Sequence, residues 1–428
     1  MAERSGPSVG STVVRRAAPL ALGAMLGAGV FLGVAPAVSI AGPWTPFAVP
    51  VAVVTAWCAA SATRHQADSY GPTGAGYACV RDKLGVVPGR IAAGTGLFGH
   101  VAALTAVAGA AARYLPTPQP LAAVSFPLLA VLASTAGLRI RGLAGWLWLA
   151  LTIAVLGVVT AACLAITPVD SPSVSPQGPL AVSGAAGVLF FGLVGFERLT
   201  AAADRTDRYP AAVLDRALPA VLLAAGVVLT VVLVAVSYQL GSARLALSPA
   251  PLLDALRAAD AAALTSGVGT AAALAMSPVL LAVLESARST GAALVSDGEL
   301  PVLSRRAGPA GTPYPFDLVL AVVAASLTLF LGPEQAVPIA ACCLLVHYAL
   351  VNAAARVLLL DGGKLPRRTA CLGMGLSVIL AMSMPVPAMA VTLAVVVLVP
   401  VTAGAIRRSR GFERSSHHER PPEEHDVR

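Results

Sequence analysis

Charge is what this chain lacks most: Asp, Glu, Lys and Arg make up 12% of its 428 residues, against roughly 25% in a soluble domain. With 57% hydrophobic residues, the composition belongs to a bilayer rather than to water. Paired cysteines are missing too. Cys58, Cys79, Cys163, Cys342, Cys343 and Cys371 form no CxxC pair and fall in apolar runs or at their edges, so they read as small core residues rather than a disulfide framework. Neither GxxxxGK(S/T) nor a dinucleotide fingerprint in a strand-to-helix context occurs, which excludes ATP-driven primary transport by this chain alone. HExxH and GxSxG are also absent and the membrane histidines stand apart, which weighs against an intramembrane enzyme.

What remains is a series of twelve apolar segments, each near the ~20 residues that a membrane helix needs. They run over 17–40, 46–62, 91–115, 121–138, 143–166, 182–199, 218–240, 264–284, 316–331, 336–358, 370–384 and 388–406. The last two need dividing. Residues 369–406 carry no charge over 38 positions, and as one helix they would measure about 57 Å in a hydrocarbon core of about 30 Å. MSMPVP supplies the turn. The basic start followed by an apolar run looks like a signal peptide, but its length and the closeness of the next segment favour an uncleaved first span.

Charge placement tests this count. With a cytoplasmic N-terminus, the inner segments and tails hold 26 of the 29 Lys and Arg residues, and the outer side holds only Arg113, Arg244 and Arg257. That asymmetry obeys the positive-inside rule and places both termini in the cytoplasm of a cell (inner) membrane protein. It also accounts for the net charge of +8 without a nucleic-acid partner. The expected division is a cytoplasmic tail over 1–16, a ten-helix core over 17–358, two further helices over 359–406 and a disordered cytoplasmic tail over 407–428, in which the His417–His418 dipeptide is solvated.

Two spans are interrupted by glycine. GAMLGAGVFLGVAP carries Gly23, Gly27, Gly29 and Gly33 before Pro36, and SGAAGVLFFGLVGFER carries Gly184, Gly187, Gly192 and Gly195 before a polar end. Breaks in the first and sixth spans, five helices apart, fit a five-plus-five inverted repeat with a substrate held between two broken helices. Close helix packing through small residues would give the same pattern.

GAMLGAGVF resembles the first-helix motif of the amino acid/polyamine/organocation permease family. SYGPTGAGYACVRDKLGVVPGR is similar to that family's loop after the second helix, FFGLVGFERLTAAADRTDRYP to its sixth-helix pattern, and SDGELP to the DGxLP after its eighth helix. The chain departs in Ala75 between Gly74 and Gly76, in the scattered acids Asp204 and Asp207, and in a fifth span without lysine. The resemblance implies an all-α, LeuT-like transport core with broken helices 1 and 6 and two extra C-terminal helices. It also implies alternating-access transport of an amino acid or a related organic amine. An apolar site wall with few acids favours a neutral or small hydrophobic amino acid over a polycation, whose basic side chain would want a buried carboxylate. Drive would come from H+ or Na+, as symport or antiport, with no bound cofactor.

The site expected on that basis uses main-chain groups. Backbone NH groups at Gly27, Ala28 and Gly29 take the carboxylate at a half-helix end, and carbonyls around Gly192, Leu193, Val194 and Gly195 take the ammonium. Phe191 is an aromatic gate by family position, or a core or lipid contact. Glu197 is a gating or proton-coupling carboxylate, or a partner of Arg198 and Arg205. His100, in GLFGHVAAL, is a substrate or proton contact, or a packing residue. His347 reads as packing, Glu285 as a local partner of Arg288, and Asp317 as an exposed residue at a helix end. LSPAPLLDALRAADAAAL is amphipathic and suggests a short interfacial helix or lid. A sensor that keeps the fold without flux is the competing function.

Overall fold

The computed structural model describes residues 9–140, 142–168, 178, 181–200, 211–300, 308, 311–360 and 364–418. Among them there is helix and no strand. The order is α1 Val9–Ala41, α2 Thr45–Tyr70, α3 Ala75–Leu84, α4 Val86–Arg113, α5 Gln119–Thr135, α6 Leu143–Ala165, α7 Ala181–Leu193, α8 Glu197–Thr200, α9 Ala211–Ala246, α10 Pro251–Ala258, α11 Thr265–Ser296, α12 Tyr314–Leu327, α13 Pro333–Leu358, α14 Lys364–Met382 and α15 Val386–His418. Seven helical stretches are long and apolar enough to cross a membrane, or up to eight when the bent α14–α15 pair is taken as one. This is a polytopic, multi-pass membrane architecture. Every one of the twelve apolar segments falls on helix, and the MSMPVP turn separates α14 from α15 at a bend of 119°.

α1, α4, α7 and α13 form the buried centre, with α4 against α13 and α1 against α7 and α9. Small residues make this possible. Ala21, Ala37, Ala106, Ala108, Ala340 and Ala341 are fully buried, so the helix backbones approach closely where lipid gives no hydrophobic drive for association. Large apolar side chains point outward instead, including Leu129, Leu147, Leu223, Val319, Ile379 and Leu393. That inversion suits a lipid solvent and would be an aggregation surface in water.

Several expectations change. α1 is one uninterrupted helix from Val9 to Ala41, with Pro19 and Pro36 inside it, so the expected break in the first span is not there. The sixth span is interrupted: α7 stops at Leu193, Val194–Phe196 is a 3-10 turn, and α8 resumes at Glu197. α9 has its own break at Gly241, whose φ of 72° and ψ of 156° only glycine adopts without strain. The loop after the second span holds an unexpected ten-residue helix, α3. α10 is the short amphipathic helix expected in the Leu247–Leu264 loop, with Leu252, Leu253 and Leu256 buried. α15 continues to His418, past the expected Ile406 boundary. The segment 419–428 and Asp204, Arg205 and Asp207 lie outside the described residues.

Candidate functional site

The break between α7 and α8 opens onto a central cavity of about 40 Å³, room for about three water molecules. Its walls are apolar and small: Ala24 and Ala28 from α1, Ala103 from α4, Val279, Ala282 and Val283 from α11, and Leu344 from α13. Phe191, Val194 and Gly195 line the broken segment, and His100, Glu197, Arg198 and Ser286 provide the polar side. Six of the expected site residues therefore share one chamber: Ala28, His100, Phe191, Val194, Gly195 and Glu197.

Gly27, Gly29 and Gly192 are elsewhere, in helix contacts. A Cβ at Gly192 would lie 2.1 Å from the Cα of Gly29, so α1 and α7 touch backbone to backbone. A Cβ at Gly27 would meet Val279 Cγ2 at 2.8 Å, and one at Gly23 would meet the Trp148 ring at 3.0 Å. Trp148 in turn donates from Nε1 to the Ala275 carbonyl at 2.7 Å, locking α6 to α11. With α1 intact, the NH groups of Gly27, Ala28 and Gly29 belong to the helical ladder.

Glu197 is the chemical centre. It is 8% exposed, and an uncompensated carboxylate at that depth would be costly. Its partners come from two other helices. His100 Nε2 lies 3.1 Å from Oε2, and the Tyr348 hydroxyl makes a short hydrogen bond to Oε1. Tyr348 is fully buried, with its ring centroid 5.7 Å from that of Phe190 and 5.5 Å from that of Phe196. Thr63 and Thr200 hydroxyls, 3.1 Å apart, fasten α8 to α2 just below.

Hydrogen-bond accounting fixes one proton in this cluster. His100 Nδ1 is 2.7 Å from the Gly96 carbonyl and must donate to it. A hydrogen bond across the Nε2–Oε2 contact then requires a proton there, carried either by imidazolium or by the carboxylic acid. Without it, a lone pair faces a carboxylate oxygen and the contact is repulsive.

Glu197 does not pair with Arg198, which turns to Glu285 on α11. Glu285 was expected to meet Arg288. Arg288 instead makes a bidentate pair with Asp317, at 2.7 and 2.6 Å, and also donates to Ser134. Asp317 is accordingly fully buried rather than exposed, because the start of α12 packs inside the bundle. Arg90–Glu299, Arg81–Asp297 and the Gly74 NH donating to Ser289 Oγ at 2.8 Å extend this polar seal at the α3 end. At the opposite end a cavity of about 430 Å³ lies among α1, α4, α13 and the α9–α10 turn, with the 2.7 Å Arg113–Glu334 pair in its wall.

Sequence reasoning missed Tyr348 and Ser286. Tyr348 had one signal, a hydroxyl beside His347 in the apolar run CCLLVHYAL. Among the described residues no group of three or more His, Cys, Asp or Glu could hold a metal ion.

No protein-family model matches the chain. Two crystal structures of mutants of a manganese transporter from Eremococcus coleocola share the fold, with a TM-score of 0.50 and 16% identity. They cover 94–95% of this chain and 94–95% of theirs. Proteins named as uncharacterized transporters in Mycobacterium tuberculosis and Mycobacterium bovis are each 31% identical over 373 residues, 84% of this chain and 83% of theirs. At that identity and coverage, the chain belongs to the same family of membrane transporters as these mycobacterial proteins.

Proposed function

We propose that the protein is a secondary active transporter of small neutral amino acids or related organic amines, resembling the amino acid/polyamine/organocation permeases and working by alternating access. In this reading it crosses the cell membrane twelve times with both termini cytoplasmic, and ten of the helices form a five-plus-five inverted repeat. The observation that carries it is the meeting of a buried carboxylate, a histidine and a tyrosine with an apolar chamber at a membrane-helix break. Irregular backbone at bilayer depth is tolerated where it lines a cavity. An ammonium group suits Glu197 and the carbonyls at Leu193–Gly195, and the alanine and valine walls suit a short apolar side chain.

The chamber has room for only about three water molecules, so it must widen to take a leucine-sized substrate. Substrate would arrive from the 430 Å³ vestibule, which the positive-inside pattern puts on the outer face. A proton is the favoured coupling ion, since the Glu197–His100 contact needs one.

One observation favours the amine over the zwitterion. α1 is intact at Gly27–Gly29, so a carboxylate finds free donors there only if α1 unwinds, whereas an amine needs none. Uptake and counterflow of radiolabelled alanine, leucine and simple alkylamines in proteoliposomes test both forms. Flux of the amino acids supports the first, flux of amines alone the second, and binding without flux would replace the transporter with a sensor.

A further inference from the structure

We propose that the crevice between α9 and α14, floored by α2, binds the phosphate head of an anionic phospholipid, with Arg64 as its principal cation and Asp215 as the competitor for that cation. The site is separate from the central chamber and stands whatever the chain carries.

A cavity of about 240 Å³ lies here, larger than the central chamber, and its lining falls within 57–65 of α2, 214–219 of α9 and 366–369 of α14. α9 and α14 each pack against α2. The three stretches share a level in the membrane. The apolar runs read from the sequence end at 62 in α2 and begin at 218 in α9 and at 370 in α14. Each helix therefore crosses the border between hydrocarbon and water at this cavity, which is the depth of phospholipid headgroups.

The lining changes character with depth. Trp57, Leu218 and Pro219 make the membrane side, and an indole suits the headgroup level. About one turn deeper come Val54, three before Trp57, Leu223, four after Pro219, and Leu372, three after Thr369. At those spacings they lie on the faces that line the crevice, and all three are exposed. They continue it as an apolar strip along which acyl chains can lie. Arg64, His65 and Asp215 make the water side.

Arg64 is held in place without being used up. His65 donates from Nδ1 to the Ser61 carbonyl at 2.7 Å, so its Nε2 accepts from Arg64 Nη1 at 2.9 Å. Arg64 Nη2 donates to Asp215 Oδ2 at 3.0 Å, and Asp68 lies 3.9 Å away. A guanidinium has five N–H donors, so donors remain for a ligand. The Asp215 side chain is 55% exposed and can turn into water, whereas that of Arg64, 12% exposed, is fixed at the cavity. A phosphate group offers several oxygens in the fork geometry that one Asp215 oxygen does not. Arg367 and Arg368, between the lining residues Pro366 and Thr369, are exposed, as is Arg216 beside Asp215. Four cations thus stand against the two carboxylates Asp215 and Asp68, and a basic pocket between membrane helices at the headgroup level suits an anionic lipid.

The melting temperature of the detergent-purified full chain, titrated with phosphatidylglycerol or with phosphatidylcholine of the same acyl chains, reads the site. Phosphatidylglycerol should raise it saturably and phosphatidylcholine should not. Arg64→Gln should move the phosphatidylglycerol midpoint about tenfold higher, and the double variant Arg367→Gln, Arg368→Gln about fivefold higher. Asp215→Asn, which removes the competitor, should move it about fivefold lower. Opposite signs for the two partners of one ion pair separate a lipid site from a salt bridge that only holds α2 to α9. Equal responses to the two lipids overturn the inference, as does an unchanged midpoint in Arg64→Gln or a higher one in Asp215→Asn. The same rise from inorganic phosphate alone would assign the crevice to a free anion and overturn the lipid. If Arg64→Gln does not fold, the double variant and Asp215→Asn carry the test, with the same opposite signs required.

Discussion

α1 and the α7–α8 span carry four glycines each, and the structure treats them differently. The spacings are four, two and four in α1 and three, five and three in the other span, and both would be read as broken helices. In α1 the spaces left by Gly23 and Gly27 are taken by Trp148 and Val279, and the helix is continuous. In the other span Gly192 presses on Gly29, and the helix gives way just beyond, at Val194–Phe196, where polar residues follow. Glycine spacing marks close approach. The 3-10 turn falls where Glu197 faces inward to His100 and Tyr348 and Arg198 reaches Glu285.

The largest effect expected from this contrast is at Glu197. Glu197→Gln keeps the volume and removes the titrating group, so transport should fall by about 100-fold or more with expression intact. Full activity in that variant would make the broken span as passive as α1. Next is the crossing itself. Gly192→Ala puts a methyl into the Gly29 backbone and should destabilise the protein by about 1–3 kcal/mol. Gly33→Ala meets only Leu189 Cδ2 at 3.5 Å and should leave the melting temperature almost unchanged. Equal melting temperatures for the two would remove the close-packing account. The smallest effect belongs to Trp148→Phe, which keeps the ring against Gly23 but loses the bond to the Ala275 carbonyl. A loss of about 1 kcal/mol in thermal stability is expected, with transport retained.

Much of the helical layout was legible, because hydropathy over about 20 residues is a strong signal in a bilayer. Helix ends were not. α2 runs on to Tyr70 through Arg64, His65 and Asp68, since a helix leaves the membrane without having to stop, and hydropathy registers only the membrane. α3 was hidden because its sequence AGYACVRDKL is half polar and only ten residues long. Glu197 was visible from its own motif, with its partners 97 and 151 positions away. Local reasoning paired Glu285 with Arg288 because they are three apart, whereas Arg288 faces Asp317 across 29 positions. Nearness along the chain is a poor guide where bundle packing chooses partners.

The touch between Gly29 and Gly192 bears on motion. Side chains meshed across an interface must change rotamer before one helix can roll over the other, and at the Gly29–Gly192 touch itself there are none to change. That one point is smooth, with Leu189 seated over Gly33 and Met25 against Gly195 on either side of it. Tilt about it leaves the pivot intact and displaces chiefly what lies at the helix ends, where the vestibule faces one way and the arginine–carboxylate pairs the other.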